Sequence, residues 1–564
     1  MSILNDCAVV GSIFSSSISR TRFLALLNML NFKALKFLPK VPLLCIFLVI
    51  STIVQNGNAA KILLYTPSIS PSHIVMSGRM ADILIDAGHD VVLFIPEYDP
   101  AVTLNGTKKA KIWRMENIST AYLDGVEQFG PSVLKENYLS VRERLIFEDA
   151  IGDMCSAIMA RHKDLDIIRD YKFDIVFTEM IDLCGLGIMR YLGIPIHIWH
   201  STTPLHDTVS YLLGVPMPYS YVPSVEENFV GPKMTFSERA WNTYMHFVAM
   251  KCHYYGTDKA TAAIRKYAGP NFPNVRDIAA ESTLAFVNSD EFMDQARPIL
   301  HKTVYIGGLG IHDVKPVAEP FLSILNQAEK GVILFSFGTI VPTTTLSHQL
   351  KTDIVNLFSE FDGYHFIVKI DKDDTEFAEL ANSAKNVITT SWMPQADILG
   401  HPKLKLFITH GGFNGLLETV IRGVPIVAVP YFADQFRNAK VAEHRGIGRV
   451  IEKQKLSKET LKTAIHAVLN DPKYSANSKR LSRLIKNKPF KPQEVFVKWV
   501  NFVAENGALP ELTPEGAHMN FFTYFNLDVF IVAASIPLLI VGFIVFVVKK
   551  VFYRSTVTSS KKTD

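Results

Sequence analysis

Residues 404–423 read LKLFITHGGFNGLLETVIRG, and this order decides the fold class. The apolar LKLFITH has the character of a buried strand, while NGLLETVIRG is helical and closes on Gly423, the usual C′ glycine before Val424–Pro425. A strand that only had to turn into a helix could use an ordinary cap. This junction instead holds His410, Gly411, Gly412 and Asn414, a set suited to a backbone that must come close to something. A helix N-terminus presents unpaired N–H groups and about half a positive charge, so it favours a phosphate. Gly411 and Gly412 let the backbone approach a pyrophosphate with no Cβ in the way. His410 and Asn414 add side-chain donors, and Glu418, one turn past Asn414 on the same face, reaches where a ribose diol would sit.

The same strand-then-helix order repeats on either side. KILLYT, the loop PSISPSH, the helix IVMSGRMADILIDAG and the strand HDVVLFIP open a βαβ series at residue 61. FDIVFTE, CGLGIMRYLG and IPIHIWHS continue it. A second series is expected from 304, through GVILFSFGT, YHFIVKI, NVITTSWMPQ, LKLFITHGG and VPIVAVPYFADQ. Strands alternating with helices predict two α/β domains with parallel, doubly wound sheets, whose ligands sit at the carboxyl ends of the strands. Polar clusters stand at those ends: Ser336 with Gly338, Trp392 with Gln395, His410 to Asn414, and Asp434 with Gln435. Trp392 offers a flat face to a base and Gln395 an amide to read its edge. Residues 205–275, rich in Tyr, Met and Phe, read as a helical insertion.

Length fits two domains: 564 residues exceed one ordinary core. The net charge of +4 comes from scattered Lys and Arg, without the clustered basic face a nucleic-acid partner needs. Both ends carry membrane signals. Lys33, Lys36 and Lys40 precede an apolar run from Val41 to Val54 and the small residues Gly57 and Ala59, so residues 1–59 read as a secretory signal, with Met29 an alternative start. Val529 to Val548 is apolar and long enough to span a bilayer, and the Lys549, Lys550 and Arg554 that follow put the short tail in the cytosol. The reading is thus a domain at 60–303, a domain with a return helix at 304–525, a membrane helix at 527–548 and a basic tail at 549–564. Sequons at Asn105 and Asn117 fit a luminal body, and the terminal KKTD resembles a dilysine retrieval signal to the endoplasmic reticulum. Of five cysteines, Cys155, Cys184 and Cys252 remain in the body; they imply no disulfide scaffold or zinc site, and a single unassigned pair stays open.

Residues 391–439, SWMPQADILGHPKLKLFITHGGFNGLLETVIRGVPIVAVPYFADQFRNA, closely resemble the signature of the UDP-glycosyltransferase family. The resemblance extends more loosely over most of 60–550, and the C-terminal span points to the membrane-bound UDP-glucuronosyltransferase branch. It implies a GT-B fold, two Rossmann-like domains facing a cleft, with the donor on the C-terminal domain and the acceptor on the N-terminal one. By position, Trp392 would stack on uracil and Gln395 bond it, while Glu418 would hold the ribose. Ser336, His410, Asn414 and Gly415 would hold the diphosphate, and Asp434 and Gln435 the sugar hydroxyls. His73, in the loop after the first strand, matches the family's catalytic histidine. The acidic partner, commonly Asp in relatives, falls on Glu179, with Asp182 a rival; His89 reads as structural.

The expected activity is transfer of a sugar, glucuronic acid first, to hydroxyl groups of small lipophilic acceptors by inverting displacement without a metal. A UDP-glucosyltransferase or a non-catalytic UDP-sugar binder are the alternatives, and the oligomeric state stays open. A nicotinamide reductase is disfavoured, because YTPSISPSH contains no glycine.

Overall fold

The computed structural model describes residues 59–225, 228–339 and 341–560. The signal-like segment, apart from its last position, and the final KKTD lie outside the described residues.

Seven parallel strands form the first sheet: β1 (Lys61–Tyr65), β2 (Asp90–Pro96), β3 (Lys111–Met115), β4 (Ile175–Glu179), β5 (Ile196–Ser201), β6 (Leu284–Val287) and β7 (Thr303–Tyr305). Their order is β3-β2-β1-β4-β5-β6-β7. Six more form the second: β8 (Gly331–Ser336), β9 (Tyr364–Lys369), β10 (Val387–Thr390), β11 (Leu404–Thr409), β12 (Ile426–Ala428) and β13 (Gly448–Val450), in the order β10-β9-β8-β11-β12-β13. In each sheet the strand order reverses once, between β1 and β4 in the first and between β8 and β11 in the second. Chain connections leave a sheet in opposite directions at such a point and open a crevice beyond the carboxyl ends of the two strands.

Alternate residues of each strand enter opposite cores. Leu63 and Tyr65 join one cluster and Ile62 and Leu64 the other; Ile333 and Phe335 are likewise separated from Val332 and Leu334. That double burial is why the strands read as continuous apolar runs rather than alternating ones.

The helices that bear on the site are α1 (Pro71–Asp86), α2 (Ala121–Lys135), α3 (Val141–Ala160), α4 (Leu183–Tyr191), α5 (Phe236–Ala268), α6 (Phe413–Arg422), α7 (Gln435–His444), α8 (Pro492–Asn506) and α9 (Leu527–Ser560). The 33-residue α5 is the main helix of the expected helical insertion. It starts at a capping box, in which Thr235 accepts from the Glu238 N–H and Glu238 reaches back to the Thr235 N–H.

One boundary differs from the sequence reading. The strand at 303–305, expected to open the second series, is the edge of the first sheet, paired with β6 through Ala285↔Thr303. Near the other end, α8 returns to the first sheet: Phe496, Val500 and Val503 are fully buried beside Phe177 and Phe286. Asn501 meets His89 there at 2.8 Å, while the other ring nitrogen of His89 accepts from the Ala60 N–H. The body cysteines also resolve: Cys155 of α3 is disulfide-bonded to Cys184 of α4, leaving Cys252 buried outside the pair.

Candidate active site

The crevices of the two sheets open into one cavity of about 1470 Å³. That exceeds the roughly 300–1,000 Å³ typical of a single small ligand, so it has room for two substrates.

His73 lies in the first turn of α1, directly beyond β1, where Pro71 opens the helix. Its Nδ1 is 3.5 Å from Glu179 Oε1 at the end of β4, an ion-pair distance too long for a well-formed hydrogen bond. Both carboxylate oxygens are fixed by backbone, Oε2 accepting from the Ile181 N–H at 2.9 Å and Oε1 from the Thr202 N–H at 3.1 Å. Burial penalises the imidazolium, but the Glu179 charge, helped by Asp434, outweighs it and raises the His73 pKa above its ordinary value. For Glu179 burial acts upward, and the His73 charge together with the donated hydrogen bonds holds the carboxyl well below its usual range.

Asp182 is occupied elsewhere. It caps α4 through the Cys184 N–H at 2.8 Å and accepts from the hydroxyls of Tyr65 at 2.9 Å and Tyr98 at 2.8 Å. Burial pushes its pKa up to about 6. Of the two carboxylates, Glu179 is the one beside the imidazole.

Across the cavity, the loop after β11 is built around the His410 ring. A Cβ on Gly338 would fall 2.6 Å from His410 Cε1, and a Cβ on Gly412 would also collide with the imidazole. The sequence suggested that Gly411 and Gly412 clear the backbone for a ligand. In the structure Gly412 clears it for a side chain, while Gly411, at φ 83, makes the left-handed turn into α6. Burial pushes the His410 pKa down to about 4, so the ring is neutral and can donate one N–H.

Ser336, buried at the end of β8, accepts from the Gly338 N–H at 3.2 Å. Asn414 stands in the first turn of α6 and Gly415 follows it, 3.5 Å (as a built Cβ) from the Gln395 amide. Gln395 donates to Glu418 at 3.0 Å, and Trp392 is 73% exposed with its ring on the cavity. Asp434 accepts from the Asn438 amide at 2.7 Å, and burial raises its pKa. Gln435 turns its carbonyl oxygen to the N–H groups of Tyr431 and Phe432. Of the catalytic and donor-site candidates, all but Glu179, its rival Asp182 and Gly411 line the common cavity.

A model of the family described as "UDP-glucoronosyl and UDP-glucosyl transferase" matches residues 60–563. The chain belongs to that family. The Caenorhabditis elegans protein ugt-50, which carries a UDP-glucuronosyltransferase name, is 37% identical over 503 residues, covering 88% of this chain and 95% of its own length. Human UDP-glucuronosyltransferase 1A8 is 29% identical over 512 residues, covering 88% and 93%. Among solved structures, the glycotransferase of kitacinnamycin shares the GT-B fold at a TM-score of 0.53 and 19% identity, covering 79% of this chain and 99% of its own.

Sequence reading passed over three residues of the UDP-glycosyltransferase: Lys369 lines the cavity, and Asn288 and Arg79 reach residues that do. Lys369 ends β9 and donates from Nζ to the Gly338 carbonyl at 2.6 Å; its only signal was a lone cation closing the apolar YHFIVK. Asn288, just past β6, donates to Asn414 Oδ1 at 2.7 Å and to the Thr202 carbonyl at 2.9 Å, tying the first domain to the head of α6. Arg79 of α1 approaches Glu418 at 3.9 Å. Both sequon asparagines, Asn105 and Asn117, are exposed in loops. Within α9, the 27 residues Leu527–Tyr553 are apolar and long enough to cross a membrane. Among the described residues, no His, Cys, Asp and Glu cluster is grouped to hold a metal ion.

Proposed function

We propose that this transferase moves glucuronic acid from its UDP donor to a hydroxyl group of a small lipophilic acceptor, with His73 as general base and inversion at the anomeric carbon. The observation that carries the reading is His73, backed by the buried Glu179, in the lining of the same cavity as Trp392, His410, Asn414 and Glu418. Uracil stacks on Trp392 with Gln395 at its edge, Glu418 holds the ribose, and the diphosphate lies on the N-terminus of α6 beside Ser336, Gly338 and His410. Asp434 and Gln435, at the head of α7, take the sugar hydroxyls.

As the acceptor oxygen bonds to the anomeric carbon, its proton passes to His73 Nε2. The bond from that carbon to the diphosphate breaks on the opposite face, and UDP leaves with the electron pair. An alcohol is barely ionised at neutral pH, so this base is worth about 10²–10⁴-fold. Glu179 stays ionised and stabilises the imidazolium that forms. Neutral His410 and the α6 N–H groups meet the charge growing on the leaving diphosphate, and no step requires a metal.

A binder without catalysis would need neither a held carboxylate nor a raised imidazole pKa. The family description covers glucosyl as well as glucuronosyl transfer, so glucose is the second donor reading. The exposed sequons, the Cys155–Cys184 disulfide and the basic tail after an apolar helix support a body in the lumen of the endoplasmic reticulum behind a cleaved signal, with the tail in the cytosol. UDP release from UDP-glucuronate and UDP-glucose in competition, with one promiscuous phenol, tests the activity and the sugar together. Preference for UDP-glucose would overturn the glucuronate assignment, and an α-linked product would overturn inversion.

A further inference from the structure

Ser336, Gly338, His410 and Asn414 offer dipoles to the leaving diphosphate but no positive charge, since burial keeps the His410 ring neutral. A nucleotide sugar brings one negative charge on each phosphate, and it gains another as the bond to the anomeric carbon breaks. Inside a cavity walled by protein that charge is poorly screened, and dipoles alone leave it uncompensated.

A cation stands at this point. β9 pairs with β8 through Phe335↔Val368, and Ser336 and Lys369 are the next residues of the two strands. Lys369 is half-buried and lines the cavity. Its Nζ donates to the Gly338 carbonyl at 2.6 Å, and its charge is felt at the His410 ring, where it helps to hold the pKa down. An ammonium carries three donors, and the bond to Gly338 uses one of them. Among the described residues no carboxylate oxygen lies within 4.0 Å of this Nζ. Asp371, whose charge it senses, is turned to Thr343 and accepts from the N–H at 2.5 Å and from the hydroxyl at 3.3 Å. Burial lowers the Lys369 pKa and Asp371 acts against that. A half-buried cation without a paired carboxylate is costly to keep, and an anion entering the cavity offsets that cost.

We propose that Lys369 is a further catalytic residue, whose ammonium contacts the diphosphate and takes up part of the charge that forms as UDP leaves. The inference rests on the donor reading of this crevice given above. The bond from the anomeric carbon breaks with its electron pair on the diphosphate oxygen, and Lys369 keeps its proton throughout. Its attraction grows with the charge on that oxygen, so it favours the transition state over the bound donor. The link to the Gly338 carbonyl holds the ammonium in place beforehand.

The test uses the purified full-length enzyme in detergent, with uridine, UMP and UDP titrated by calorimetry and turnover followed as UDP release. Lys369→Met should weaken UDP binding by about 10- to 100-fold and leave uridine within about twofold, with UMP between them. Turnover should fall by about 10²-fold. Lys369→Arg should recover part of both losses. Lys369→Gln, which keeps an N–H donor for the Gly338 carbonyl but no charge, should recover neither. Recovery by Gln as good as by Arg would reduce Lys369 to a prop for the Gly338 turn and overturn the proposal. An equal loss for uridine and UDP overturns it too. So does a loss confined to UDP-glucuronate with UDP unchanged, which would place the cation at the sugar carboxylate. Failure of the unaltered enzyme to bind UDP would remove the donor reading itself and the proposal with it, whereas UDP bound equally well by Lys369→Met overturns the proposal alone.

Discussion

The points where strand order reverses, β1/β4 and β8/β11, hold equivalent places in their sheets, yet their histidines behave in opposite ways. His73 has a carboxylate at 3.5 Å and its pKa is raised. His410 has two glycines cleared around its ring, and its pKa falls to about 4. Burial acts in the same direction on both, so the difference comes from the neighbouring charge. A doubly wound sheet thus supplies only the crevice. One acid placed at its lip gives a group that takes a proton, and the lack of one gives a neutral dipole suited to an anionic leaving group.

Removing the charged member should have the largest effect. His73→Ala is expected to lower turnover by about 10²–10⁴-fold while UDP affinity, measured by calorimetry, stays within a few-fold. Undiminished turnover would remove His73 from the chemistry. Glu179→Gln makes the first crevice resemble the second. With the raising charge gone, burial dominates and the His73 pKa falls. Because the neutral ring is the base, activity rises with pH through that pKa, so the acid limb of kcat/KM should lie above pH 6.5 in the unaltered enzyme and move lower in the variant. A limb that does not move would separate Glu179 from the base.

The second crevice is sharpened by Gly338→Ala. It places a methyl against the His410 ring at φ 79, and the strain plus ring displacement, about 1–3 kcal/mol, should weaken UDP binding by roughly 5- to 150-fold. Asn288→Ala is the mildest change: it frees Asn414 from its link to the first domain and should cost about 1 kcal/mol, or roughly fivefold, in kcat/KM for the donor. An effect confined to acceptor kinetics would show that Asn288 does not act through Asn414.

Most of the second crevice was legible because its chemistry is local. Ser336, Trp392, His410 and Asp434 each follow an apolar strand within a few residues, and the glycines mark the turn. What stayed hidden depends on distance in sequence. The Asn288–Asn414 bond joins positions 126 apart, and Lys369 is a single cation with no periodicity around it. The choice between Glu179 and Asp182 needed the two tyrosine hydroxyls that occupy Asp182 from other strands and loops. Residues 303–305 misled for a simpler reason. A three-residue strand followed by a glycine pair can close one sheet as well as open the next, and only its pairing with β6 decides.

Soaking crystals of the full-length protein with UDP tests the central claim most directly. The account predicts uracil against the Trp392 ring, the diphosphate on the first turn of α6 beside His410, and the β-phosphate turned toward the side of the cavity that holds His73. Nucleotide bound outside this crevice, or a diphosphate pointing away from His73, would contradict it.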